Sequence, residues 1–233
     1  MNKKFILPIS LMLLVGLAVF VSASMTSTSS DPLSNKQDYN VELSLEKGWN
    51  LVVGVPVWGD ESAISSNSEI KLSDIKASFY YFRYENKYIQ FFPNSQEIEN
   101  YLRNAQEKPD EALYFAQSPV WIYSNKAGVL RYTREDFPKY DSSNKVTLSS
   151  CWNFITITPN MEGKTFEDVQ GNCNVEKAYL YYSEAGNWRS VERNRDIFGS
   201  QNFLDIGQGM LIKVTNSCQM GETETSVNLP VMP

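Results

Sequence analysis

The sequence predicts a mainly β fold (α+β in the broad sense): two tandem β-rich repeats, small sandwich- or barrel-like units with short helices, preceded by an N-terminal signal or anchor helix. Three observations predict it. Short runs alternate apolar with polar residues, the period of a half-buried strand. Four sequence blocks occur twice in the same order. The N-terminus carries a basic head, an apolar middle and a small-residue exit.

The N-terminus comes first. Lys3 and Lys4 precede an apolar run over residues 5–21, and Ser22-Ala23-Ser24 follows. This pattern is a secretory signal, residues 1–23, with cleavage expected after Ala23. The run also approaches the roughly 17–25 residues that cross a bilayer, so a retained anchor with its lysines held inside is the alternative. No Cys follows the run, which excludes a lipoprotein acylation site. Residues 24–40 are rich in Ser, Thr and Asn and read as a linker. Residues 221–233 read as a tail.

Composition narrows the chemistry. With no His among 233 residues, imidazole-based nucleophilic catalysis and His-ligated zinc are excluded, and 3 Cys cannot build a four-Cys site. No cofactor or metal is implied. A net charge of −6 and a pI near 4.9 argue against a nucleic-acid partner, which would need clustered Lys and Arg. Contact with a membrane is expected only through residues 5–21.

The repeats span residues 41–138 and 139–220. Val41, Leu43 and Leu45 alternate with Glu42, Ser44 and Glu46, and a turn at Lys47-Gly48 leads to a more apolar strand. Aligning Trp49-Asn50 with Trp152-Asn153 places Leu45 on Leu148 and Pro56 on Pro159. Gly48 falls on Cys151. Downstream, Asp74 falls on Asp168, and residues 79–82 (FYYF) on 179–182 (YLYY). In the last block, residues 117–125 fall on 208–216 without a gap. Residues 79–84 and 87–92 flank Glu85-Asn86 as a hairpin, and 178–182 with 188–191 form its counterpart.

The string Gly48-Trp49-Asn50-Leu51-Val52, followed by an aromatic strand pair and a Gly-x-Gly strand, resembles the "GWNL" repeats of uncharacterised secreted and cell-surface prokaryotic proteins. Cys151 departs from that pattern in the second repeat, as does Ser118-Pro119 in the first. The resemblance implies an extracytoplasmic module of unassigned activity and supplies no catalytic residues.

One helix is expected: Asn94 caps it, and Ile98, Tyr101, Leu102 and Ala105 share a face. Short helical turns are expected near residues 73–77 and 165–170. Trp49 and Trp152 are expected in the core, each under its own hairpin, with Asn50 and Asn153 bonding the turn backbone; a sugar-stacking Trp is the alternative. In an exported chain cysteines pair, and Cys173–Cys218 is the favoured disulfide because both lie in additions unique to the second repeat. Cys151–Cys173 is the competing pair.

Several strings imitate catalytic motifs. Gly163-Lys164-Thr165 ends like a phosphate loop, but Thr158 stands where that loop needs Gly. Ser44 with Lys47, and Ser73 with Lys76, have Ser-Lys spacing without the companion strings. Asp74 and Asp168 read as helix N-terminal charge.

The expectation is therefore a non-enzymatic extracytoplasmic module for recognition, adhesion or envelope structure, with an envelope protein or a glycan as partner. Its contact candidates are Tyr80, Tyr84, Tyr88, Tyr181, Tyr182 and Trp188. The alternatives are a carboxylate-dependent extracellular hydrolase, or a subunit of a surface assembly whose edge strands pair.

Overall fold

The computed structural model describes residues 41–54, 63–83, 85–94, 96–105, 114–115, 117–133, 145–199 and 205–221. The signal, the linker, Tyr84, the boundary between residues 138 and 139, and the tail beyond Gly221 lie outside them. All the described residues belong to one compact unit.

The fold is mainly β and sandwich-like. The first half contains β1 (Val41–Leu45), β2 (Gly48–Val53), β3 (Ile75–Phe82), β4 (Lys87–Phe92), β5 (Pro119–Ser124) and β6 (Gly128–Tyr132). The second contains β7 (Val146–Leu148), β8 (Cys151–Thr156), β9 (Val175–Tyr182), β10 (Asn187–Ser190), β11 (Gly209–Val214) and β12 (Cys218–Met220). The sheets run β2-β5-β3-β4 and β8-β11-β9-β10, and the flanking pairs are β1-β6 and β7-β12, so both halves have the same strand order. Every pairing between these strands is antiparallel.

Alternation sets the burial. In β1, Val41, Leu43 and Leu45 are buried while Glu42 and Ser44 face solvent. In β5, Val120 and Ile122 are buried, while Trp121 and Tyr123 on the opposite face are partly exposed. The inward residues of both halves join one apolar cluster, running from Leu43, Ile122 and Leu130 to Leu148, Leu180 and Ile212. Each such Leu or Ile contributes about 1.5–3 kcal/mol of burial.

Helix α1 (Gln96–Ala105) packs on this core through Ile98 and Tyr101, and the Asn94 side chain accepts from the Gln96 N–H at 3.1 Å. The side chains of Leu102 and Ala105 lie outside the described set. The expected short turns are a 3-10 turn (Leu72–Asp74) and α2 (Phe166–Val169), closed by Asp74 and Asp168 respectively.

The turns into β2 and β8 share one device. Asn50 accepts from the Glu46 N–H at 2.8 Å and donates to the carbonyls of Glu46 and Gly48 at 2.8 and 3.1 Å. Asn153 accepts from the Ser149 N–H and donates to the carbonyls of Ser149 and Cys151 at 3.1, 2.8 and 3.3 Å. Both are buried, so inward-turned backbone groups find partners. The turn residue itself is left-handed, with φ of +110° at Gly48 and +86° at Cys151.

The halves join through both backbone and side-chain contacts. Val53 N–H donates to the Gly207 carbonyl at 2.6 Å, and Phe154 N–H to the Tyr114 hydroxyl at 3.0 Å. The Arg83 guanidinium lies over the Tyr114 ring at 3.8 Å and donates to the Thr147 carbonyl at 2.7 Å. Gly209 lies so close that a Cβ there would overlap Leu51 and stand 2.7 Å from Pro119 Cβ.

The disulfide is Cys173–Cys218, with Cα atoms 5.1 Å apart, and Cys151 is a free, exposed thiol. No helix among the described residues is long and apolar enough to cross a membrane.

Candidate functional site: an aromatic groove where the two sheets meet

A strand that buries Asn50 turns its neighbour Trp49 the other way. Trp49 is 38% exposed and Trp152 37%, which corrects the expectation that both indoles lie in the core. The reason is local: the turn carries backbone groups that need a partner on the inner side, and Asn rather than Trp supplies it.

On the outer face of the first sheet, the Trp49 ring lies 5.9 Å from Phe79, 5.1 Å from Tyr123 and 6.4 Å from Trp121. Trp121 in turn meets two rings of the second sheet. Its centroid is 4.6 Å from Tyr181 and 5.9 Å from Trp188, at interplanar angles of 78° and 89°. Such edge-to-face pairs contribute about 0.5–1.5 kcal/mol each beyond burial. Between the rings lies an open groove of about 380 Å3 lined by Trp49, Phe79, Tyr88, Trp121 and Tyr181.

None of these lining residues is charged at neutral pH. Tyr88 is half exposed, yet partial desolvation among the neighbouring rings raises its hydroxyl above the ordinary phenol range, and a hydrogen bond from the Trp121 side chain opposes that rise. Tyr81, whose ring lies 5.2 Å from that of Tyr88, is raised by burial and donates to Asn86 at 2.5 Å. The phenols therefore remain neutral hydroxyls, able both to donate and to accept.

The expected contact residues divide. Tyr88 and Tyr181 line the groove, and Trp188 borders it 5.4 Å from Tyr181. Tyr80 is fully buried against Phe115 and Tyr101, at 4.7 and 5.9 Å, which removes it from any contact surface. Tyr182 donates to Glu184 at 2.5 Å and is not among the lining residues. Tyr84 is outside the described residues.

Phe79 and Trp121 are lining residues that the sequence does not single out as contacts, and Trp49, expected in the core with sugar stacking as the alternative, lines the groove as well. Trp121 was hidden by register. Gly48 pairs with Ser124 and Cys151 with Val214, so Ser124 is the counterpart of Val214. The ungapped alignment of residues 117–125 with 208–216 is thus one residue out. It set Trp121 on buried Ile212, whereas its true counterpart is Leu211 on the outer face. A one-residue slip exchanges the two faces of a strand.

The recurrent acids are committed elsewhere. Asp168 accepts from the Thr165 hydroxyl at 2.7 Å and from its N–H at 2.8 Å, and these bonds hold its carboxyl below the usual range. Asp74 is held low chiefly by the Lys71 N–H at 2.9 Å, with Lys126 adding 3.1 Å away.

Comparison with protein-family models, with curated protein sequences and with solved structures returns no match.

Proposed function

We propose that this chain is a non-enzymatic recognition module acting outside the cytoplasm, and that the aromatic groove is its contact surface. The observation that carries the reading is the groove itself: partly exposed, uncharged rings from both sheets converge on one concavity. Monomers seldom leave such rings in water without a use for them. The carboxylates shifted in pKa, Asp74 and Asp168, move down through capping bonds, which favours a structural role for them over acid catalysis. The Cys173–Cys218 bond is compatible with an oxidising compartment, as are the signal-like N-terminus and the resemblance to GWNL-type surface repeats.

The test is binding by the folded chain to a glycan array and to isolated envelope polysaccharide and protein fractions. Wild type should bind, and Trp121→Ala should lose that binding while keeping its far-UV circular dichroism. Equal retention by the two proteins would reject the groove as the contact surface.

A further inference from the structure

The groove does not end at its aromatic wall. Gln90, two residues beyond Tyr88 on β4, shares its face, and across the sheet it is the register partner of Phe79. Tyr88 and Phe79 line the groove, whereas Gln90 lines a second concavity of about 220 Å3 with Asn94, Gln96, Glu97 and Asn100, between β4 and α1. Residues that line the two hollows are thus neighbours on one face of the sheet, Gln90 beside Tyr88 along the strand and beside Phe79 across it, with rings on one side and carboxamides on the other.

We propose that groove and pocket form one elongated site for an uncharged oligosaccharide, with sugar ring faces against Trp49, Trp121 and Tyr88 and hydroxyls held by Gln90, Asn94, Gln96 and Asn100. The inference rests on the reading of the groove as a contact surface and names its occupant. A pyranose presents an apolar C–H face and a rim of hydroxyls, each both donor and acceptor. Flat rings match the first, and carboxamides, which also donate and accept, match the second.

Two alternatives fit less well. An apolar peptide would cover the rings but would desolvate the carboxamides without giving them partners. An anionic chain would meet the carboxylate of Glu97 with no Lys or Arg among the lining residues of either hollow. Charge thus selects a neutral ligand. Gln90 already donates to the Phe92 carbonyl at 3.3 Å, which leaves its oxygen to accept.

The experiment is calorimetric titration of the folded chain. The probes are linear neutral oligosaccharides of glucose, mannose, galactose and N-acetylglucosamine in a series of increasing length, with an oligogalacturonate and an aromatic-rich peptide as contrasts. Wild type should bind one neutral series with affinity rising with length. The double variant Gln90→Ala/Asn100→Ala should keep the affinity for the shortest ligand and lose about tenfold for the longest. Trp121→Ala should lose both. If the double variant binds every length as wild type does, the pocket is not part of the site and the inference fails, while the groove reading stands. Stronger Trp121-dependent binding of the peptide or of the oligogalacturonate overturns the neutral-sugar assignment in the same way. If no probe binds in a Trp121-dependent manner, the inference falls, and the groove reading is then decided by the glycan array and the envelope fractions.

Discussion

Trp121 of the first sheet stands edge-on to Tyr181 of the second, with ring centroids 4.6 Å apart. The two residues are far apart in sequence and lie in the two halves of the chain. The groove is consequently completed by the second half, which supplies Tyr181 to a wall otherwise built from Trp49, Phe79, Tyr88 and Trp121, so its shape depends on how the two sheets pack. The sheets approach closely where Gly209 meets Leu51 and Pro119, and a Cβ there would press on both.

Gly209→Ala is expected to wedge this junction. Overpacking of this kind costs about 1–3 kcal/mol. The groove tryptophans should become more accessible to acrylamide quenching, and the urea midpoint should fall. An unchanged midpoint and unchanged quenching would show that the contact relaxes without consequence.

Trp49 and Tyr80 should part company. Tyr80→Ala removes a fully buried ring and should cost about 3–5 kcal/mol. Trp49→Ala removes a partly exposed one and should cost less than about 2 kcal/mol. Equal losses in chemical denaturation would return Trp49 to the core.

Asn50→Ala and Asn153→Ala each remove the buried partner of a backbone N–H and two carbonyls in a partly buried turn. Each should cost about 2–3 kcal/mol. Asp at either site restores the acceptor but not the donor, so it should recover only part of the loss.

Cys151→Gly should stabilise the chain by about 1 kcal/mol, since φ of +86° strains any residue with a Cβ. The same change removes the one free thiol among the described residues. A thiol reagent should therefore modify a single site in the native wild type and none in the variant. Cys173→Ser should lose about 3–4 kcal/mol by opening a loop with a sequence separation of 45.

Asp74 and Asp168 should contribute to the acid limb of stability. Both carboxyls sit below their ordinary value of 3.8 in the folded chain, so the fold favours their ionised forms. The stability they supply is complete above that value and is lost as pH falls through the lower folded one. Asp74→Asn/Asp168→Asn should flatten the fall of the thermal midpoint below about pH 4. An unaltered slope would place the acid sensitivity in other groups.

Much of this architecture was legible in the residues. Val41, Leu43 and Leu45 announced a half-buried strand, the repeated Trp-Asn announced two equivalent turns, and the additions around Cys173 and Cys218 announced their pairing. The facing of the aromatic strands was not legible. Phe79, Tyr80, Tyr81 and Phe82 are all aromatic, so period-two alternation does not say which row is inward. Trp49 was misplaced because hydrophobic size suggested burial, while the hydrogen-bonding demand of the turn decided for Asn50. The groove depends on contacts between distant strands, which local pattern does not contain.

The most direct measurement is tryptophan fluorescence of the folded chain as the best-binding neutral oligosaccharide is added. Trp49, Trp121 and Trp188 line or border the groove, so its occupation should give a saturable blue shift and protection from acrylamide. Trp121→Ala should abolish the saturable change. Binding that leaves the emission and quenching of the wild type unaltered would contradict the account, because the ligand would then be held elsewhere on the molecule.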